Sequence, residues 1–371
     1  MTPPRAAPAR AAPRGHPAND RTAGGAYDRK VTSPASLVLV ANAADGSLSV
    51  FRFDHGALTL LATTDGLTGT STFVVDAERD LVHAAVKGEV PGIVTLRLDR
   101  ESGVLTPQSR LDLPRGGMNY LALTRDGSAL LGASYGGGYG ILAPVEDGVV
   151  GEPVSTIEYP NLHSVLPSAD GRFAYFVSLG ADLVAQYAIG DALALQPLQP
   201  ATVAAPAGSG PRHLVLNDAQ DAVYVLTEFS GEILHYARDT ASGALTLVGS
   251  ADAFDPEKQL GRSVFGANPL EHNYIWGADL HLAGDHLWAS ERTISTLAPV
   301  AVAADGSLTD AATFTVTEPQ PRGFATSPDG AWLVAAGEKS TTVSLYAVDG
   351  DRLELRQRAE TGNGANWVRF V

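Results

Sequence analysis

Ten side chains of this chain could bind a small anion or move a proton on it: Tyr135, His163, Arg212, His213, Glu228, Asp279, Arg292, Arg322, Lys339 and Trp367. Histidine and glutamate are general-base types. Arginine carries a planar fork that holds a carboxylate or phosphate through two parallel hydrogen bonds. Each of these residues also has a plainer role open to it. A lone His in a sheet is commonly a hydrogen-bonded core or surface residue, and Arg or Glu commonly form structural ion pairs. Charged residues are only 18% of the sequence. What favours chemistry is that these residues recur at matching places in successive repeats.

The repeat is built of strands. Six segments begin alike, at Ser71, Met118, Leu162, Arg212, Gly277 and Arg322. Each leads into a turn, and three of the turns contain Asp-Gly: Asp126-Gly127, Asp170-Gly171 and Asp329-Gly330. Glycine accepts positive φ there and Asp bonds its own backbone, so these turns need no functional reading. β-rich runs follow at Leu81 to Val86, Ala129 to Ser134, Phe173 to Ser178, Ala222 to Thr227, His286 to Ser290 and Trp332 to Ala336. Third strands follow, such as Ile93 to Leu98 and Val343 to Val348, and then fourth strands such as Gly243 to Leu247. Asn119 and His163 are 44 positions apart, His163 and Arg212 are 49, and Asp279 and Arg322 are 43. Four strands at a period in the forties predict an all-β fold, a β-propeller of four-stranded antiparallel blades. The chain of 371 residues would otherwise imply two or three domains, but each blade of a propeller adds its own small core.

Arg212 and Asp279 are 67 apart, which leaves about twenty extra residues in Asp255 to Tyr274, where no strand pattern is visible. At the N-terminal end, Leu37 to Val40, Leu48 to Phe53 and Leu58 to Ala62 make only three strands. The C-terminal Asn366 to Val371 makes one more, and its joining the first blade would close a seven-bladed ring and remove the free sheet edges.

In a propeller the innermost strands line the channel, and their starting ends lie near one mouth. His163, Arg212, His213, Asp279, Arg322 and Trp367 occupy such starts. The loops after the second strands carry Lys87, Tyr135, Glu228, Glu291, Arg292, Glu338 and Lys339. A net charge of -15 argues against nucleic acid as partner, while an anionic small molecule is compatible with basic residues gathered in one cleft. With no cysteine there are no disulfides, thiolate sites or cysteine nucleophiles. The Asp residues lack the alternating spacing of a calcium loop, and His213 and His281 lack a third ligand for zinc. No metal and no cofactor is expected. Residues 1–35 are rich in Ala, Pro and Arg without an apolar run and read as a disordered extension, with a transit-type peptide as the alternative. Residues 36–371 form the propeller domain. No segment has the apolar length to span a membrane, so the default compartment is the cytoplasm, as a monomer or weak homo-oligomer.

Several local segments are similar to one family. Gly208-Ser209-Gly210-Pro211-Arg212-His213 and Glu318-Pro319-Gln320-Pro321-Arg322-Gly323-Phe324 resemble segments of the lactonase-type seven-bladed propellers, the family of bacterial 6-phosphogluconolactonase and fungal carboxymuconate cyclase. Trp276 to His281, Ser290 to Thr293, Ala335 to Ser340 and Asn366 to Val368 continue the match in order. The resemblance implies an active-site set of a His, an Arg, a Glu and a second Arg, which fall on His163, Arg212, Glu228 and Arg292. His213, Asp279, Arg322, Lys339, Tyr135 and Trp367 would then bind substrate. Departures lie in Met118-Asn119-Tyr120, in the glycine-rich Ser134 to Tyr139 loop and in the long Asp255 to Tyr274 insert.

The activity this implies is hydrolysis of a small anionic lactone, a phosphorylated or acidic sugar lactone. Glu228 or His163 would activate water, and Arg212 and Arg292 would hold the substrate and its oxyanion. A cycloisomerase acting on a muconate-type diacid, a metal-dependent propeller lactonase and a non-enzymatic propeller scaffold are the alternatives. Consumption of diacid against lactone, sensitivity to EDTA, and an exposed apolar patch beside an inert channel mouth would tell them apart.

Overall fold

A computed structural model describes residues 36–371. The reading of residues 1–35 as an extension falls outside the described residues. Seven antiparallel sheets follow one another along the chain. In blade 1 the strands Ser36–Asn42, Ser47–Asp54 and Ala57–Thr64 are joined by the C-terminal Ala365–Phe370, which is innermost. The innermost strands of blades 2 to 7 are Phe73–Asp76, Tyr120–Leu123, Leu162–Pro167, Pro211–Leu216, Gly277–Ala283 and Pro321–Thr326. The chain therefore belongs to the seven-bladed architecture, with its ring closed by its last strand.

Closure is reinforced beyond the sheet ladder. The Leu37 and Val371 backbones exchange N–H···O=C bonds of 2.9 and 2.8 Å. Trp367 is buried on the closing strand, and its indole Nε1–H donates to the Phe73 carbonyl of blade 2 at 2.9 Å. On the other side, Gly323 of blade 7 lies so near this strand that a Cβ would sit 2.3 Å from the Asn366 carbonyl oxygen. Only glycine allows the two backbones to approach that closely.

The second strands, such as Leu81–Val86, Ala129–Ser134, Phe173–Ser178 and Ala222–Thr227, are buried along their whole length. They read as continuous apolar runs because both faces pack against neighbouring blades. The core is accordingly a series of layers between blades. Val38, Val40 and Phe51 pack against Val334, Val343 and Leu345. Ala85 and Ile93 pack against Met118, Leu130 and Ile141, and Tyr175 and Val177 pack against Val223, Val225 and Leu234. Outer strands such as Leu105–Asp112 are mostly exposed, with only Leu105 and Leu111 buried.

The Asp255 to Tyr274 insert forms one short 3-10 turn at Pro256–Lys258 and one helical turn at Pro269–His272, each with an Asx cap and a proline in its first turn. The blade 6 outer edge is split into Leu308–Thr309 and Thr315–Val316, so this blade has two short outer strands in place of one long one. Among the described residues no helix is long and apolar enough to cross a membrane.

Candidate active site

Five of the seven innermost strands carry a β-bulge near their starting ends. The register against the adjacent strand slips at His163, between Leu162 and Ser164, and at Arg212, between Pro211 and His213. It slips across Ala278 and Asp279, at Arg322 between Pro321 and Gly323, and on the closing strand at Asn366. A bulge adds one unpaired residue, bends the strand and re-aims its side chain. The same device, repeated round the ring, sets the site.

The loops that follow the second strands are pinned to these starts. The Glu228 N–H donates to the Gly210 carbonyl at 2.6 Å, and the Gly277 N–H donates to the Glu228 carbonyl at 2.9 Å. The Arg292 N–H donates to the Trp276 carbonyl at 3.0 Å, and the Glu338 N–H to the Gln320 carbonyl at 3.0 Å. Glu228, Arg292 and Glu338 thus enter one cleft from three successive blades.

Their side chains form a network. Arg212 Nε donates to Glu228 Oε2 at 2.8 Å, and Arg292 Nη2 reaches the same oxygen at 3.2 Å. Trp276 Nε1 donates to the other oxygen, Oε1, at 3.1 Å. The Arg292 guanidinium lies over the Trp276 ring, 3.8 Å from its centroid. Arg322 pairs with Glu338 at 2.7 Å, and Arg292 lies 4.0 Å from the same glutamate. Arg212 and Arg292 are buried, at 1% and 3% side-chain exposure.

His163 is buried beside them, edge-on to the rings of Tyr135 at 5.7 Å and His213 at 5.1 Å. Its Nδ1 is buried without a hydrogen-bond partner. Burial, then the charges of Arg212, Arg322 and Arg292, holds the His163 pKa well below the usual imidazole range, so the ring is neutral. Burial alone would raise Glu228, but Arg292, Arg212, Arg322 and the indole N–H outweigh it and hold the carboxyl below its usual range. Burial, with Arg212 and Arg322, pushes Arg292 down to about 9, which leaves it cationic at neutral pH.

The four residues His163, Arg212, Glu228 and Arg292 are therefore brought together. Tyr135 and Arg322 border them: Tyr135 is half-buried against His163, and burial and the Glu228 charge raise its hydroxyl. The substrate-binding reading of His213, Asp279 and Trp367 needs correction. All three are buried, and their polar atoms are engaged within the protein. His213 Nδ1 bonds Asp279 Oδ1 at 2.7 Å, and Trp367 packs edge-on against His213 and Tyr120. Lys339 also differs, since its side chain is exposed and makes no ion pair among the described residues. Lys87 of blade 2 is the lysine near the cluster, lowered by burial and by Arg322 and raised by Glu338. Glu291 is a backbone anchor, accepting from the N–H groups of Trp276, Thr293 and Ile294. The ion-pair network runs from Arg212 and Glu228 of blade 5 through Arg292 of blade 6 to Arg322 and Glu338 of blade 7.

Two residues of the site had no assigned role in the sequence. Trp276 lies within the Trp276 to His281 segment, one place before the glycine of the inner strand, and that position was its only signal. Asn366 is buried at the fifth bulge, and its Oδ1 lacks a partner. The glycine-rich loop is held by Asn119, whose Oδ1 accepts from the Tyr135 N–H at 3.0 Å. The insert borders the cleft as well: the Ser263 N–H donates to the Phe229 carbonyl at 2.9 Å, and Thr293 Oγ1 donates to the Tyr274 carbonyl at 2.6 Å. No group of three or more His, Asp or Glu arranged to hold a metal is present among the described residues.

Comparison with known proteins gives consistent results. A family model described as lactonase, 7-bladed beta-propeller, matches residues 32–370. A 6-phosphogluconolactonase of Sodalis glossinidius is 31% identical over 342 residues, covering 90% of this chain and 98% of that protein. A 6-phosphogluconolactonase of Cronobacter sakazakii is 28% identical over 337 residues, with 89% and 97% covered. The structure of a periplasmic gluconolactonase of Pseudomonas aeruginosa superposes with a TM-score of 0.79 at 25% identity, over 91% of this chain and 99% of that one.

Proposed function

The chain belongs to the lactonase family of seven-bladed β-propellers, and on that premise we propose that it hydrolyses a phosphorylated sugar lactone, with 6-phosphogluconolactone the first candidate. One observation carries the reading: a neutral imidazole, His163, lies beside two buried guanidinium groups that share one carboxylate.

In this reading His163 is the base and Glu228 is not. Both Glu228 oxygens are engaged, by two arginines and an indole N–H. His163 Nε2 takes a proton from water as the water oxygen bonds to the lactone carbonyl carbon. The carbonyl π electrons move to oxygen, and Arg212 and Arg292 stabilise that oxyanion. Collapse re-forms the carbonyl and breaks the ring C–O bond. The imidazolium returns the proton to the leaving alkoxide, giving the open-chain hydroxy acid.

The charge of the cleft supports a dianionic substrate. Arg212, Arg292, Arg322 and Lys87 outnumber Glu228 and Glu338, even with the ionised Asp279 behind Arg212, so the cleft is cationic within an acidic protein. A phosphate group balances that excess, and the arginine fork suits its geometry.

The test is a lactone panel read by acid release at constant pH, with phosphorylated and unphosphorylated sugar lactones side by side, and with and without EDTA. The expected result is hydrolysis that favours the phosphorylated lactone and resists EDTA. Consumption of a muconate-type diacid in preference to every lactone, or inertness to the whole panel, would overturn the reading.

A further inference from the structure

Behind Arg212 lies a hydrogen-bonded line that joins blades 5, 6 and 7. Asp279 is buried, and each of its oxygens meets one backbone N–H and one imidazole nitrogen. Oδ1 takes His213 Nδ1 at 2.7 Å and the Leu280 N–H at 3.0 Å. Oδ2 takes His281 Nε2 at 3.3 Å and the Phe324 N–H at 3.2 Å. Burial alone would raise the Asp279 carboxyl, but the two histidines outweigh that and hold it well below the usual range, so it is an ionised acceptor. On the other side of His213, Nε2 lies 3.1 Å from Arg212 Nη1.

A guanidinium has no lone pair to offer, so His213 Nε2 must accept from Arg212. Its Nδ1 then carries the ring proton and donates to Asp279. Both ends of the ring require the same neutral tautomer. The other Nη1 hydrogen of Arg212 goes to the Ala278 carbonyl, and Nε–H goes to Glu228. Three of the five N–H bonds are thereby used, and Nη2 keeps both hydrogens free of partners among the described residues. The orientation of Nη2 follows from the partners on Nε and Nη1.

We propose that Asp279 is a positioning residue: it holds His213 in the Nδ1–H tautomer, and His213 Nε2 in turn holds Arg212 with Nη2 directed at the reacting lactone. His281 is the outer anchor of the line. It is half-buried, bonds the far carboxylate oxygen and borders a recess of about 410 Å³ with Leu166, Leu216 and Asp218 at the opposite ends of the inner strands. The catalytic consequence rests on the lactonase reading above, whereas the tautomer does not.

Two measurements test it. Nitrogen-15 NMR of the histidine-labelled, unmutated protein should find His213 protonated at Nδ1 and bare at Nε2. An Nε2–H tautomer there would overturn the proposal, whatever the protein catalyses. The second is a double-mutant cycle. Asp279→Asn should lower kcat/KM on the order of tenfold or more, as loss of a tautomer-setting carboxylate does elsewhere. His213→Gln presents an amide oxygen to Arg212 without help from residue 279. In that background Asp279→Asn should cost less than about twofold in kcat/KM, although it lowers Tm in both. An equal loss of kcat/KM in the two backgrounds would make Asp279 a merely structural tie between blades 6 and 7. A protein inert to all lactones refutes the function reading alone, and the NMR result still decides this one.

Discussion

Arg212 and Glu228 meet at 2.8 Å, with the guanidinium 1% exposed and the carboxylate 17%. Arg292 shares the same carboxylate oxygen, so one negative charge separates two buried cations. Glu228→Gln keeps the shape and removes that charge. Breaking a buried pair costs about 3–5 kcal/mol, because the remaining charge has no counterpart. The variant should unfold at correspondingly lower denaturant and lose kcat/KM by about 100-fold or more, since both arginines lose their anchor. Retention of near wild-type kcat/KM would remove Glu228 from the site.

Trp276 separates two contributions of a single side chain. Its face supports Arg292 and its N–H supports Glu228. Trp276→Phe keeps an aromatic face and loses the hydrogen bond, a loss of about 1.5–3 kcal/mol for a bond to a charged group. Trp276→Leu loses both. Steady-state kinetics should rank activity as wild type, then Phe, then Leu.

The pH profile of turnover follows from the charges around His163. In the free protein burial and the surrounding cations hold its pKa well below 6.5. A bound dianion cancels part of that positive potential and raises the pKa in the complex. The acid limb of kcat, which reports the complex, should therefore lie at higher pH than the acid limb of kcat/KM, which reports the free protein. The reverse order would exclude His163 as the base.

Stability should also fall in acid. Burial lowers His83 to about 4, and burial with Arg212 lowers His213 to about 4, while unfolded histidine titrates near 6.5. Between those values the unfolded chain binds more protons than the folded one. Stability is then full above pH ~6.5 and declines as pH falls toward about 4, by up to about 1.4 kcal/mol per pH unit for each histidine. His83 is in blade 2, bonded to Thr95, away from the cleft. In chemical denaturation His83→Gln should reduce the slope by about one histidine and leave kcat/KM unchanged.

The closing strand is the last test. Trp367→Phe removes the N–H bonded to the Phe73 carbonyl and should cost about 1–3 kcal/mol, read from denaturant midpoints. Deleting residues 365–371 exposes the inner edge of blade 1 and should abolish cooperative unfolding.

Much of the fold was legible in sequence because its signals are local. The run Leu81 to Val86, the Asp-Gly turns and the period in the forties each depend on residues close along the chain. The incomplete first blade and the spare C-terminal strand gave ring closure by count. The residues of the site were legible in part. His163, Arg212 and Arg322 stand at matching starts, but nothing local marks the bulges that re-aim them. Lys339 is adjacent to Glu338 in sequence and is exposed, whereas Lys87, far away in sequence, lies near Arg322.

The sequence by itself determined the strands, the repeat and the closing strand and offered a set of candidate side chains, since period, turn chemistry and residue type are properties of short segments. Only the tertiary structure decided which of those side chains face the cleft and which stand behind it. His213 meets Asp279 across 66 positions, and Trp276 meets Glu228 across 48. Such pairs form between neighbouring blades, so burial and charge compensation depend on how the blades pack, and no single blade encodes that packing.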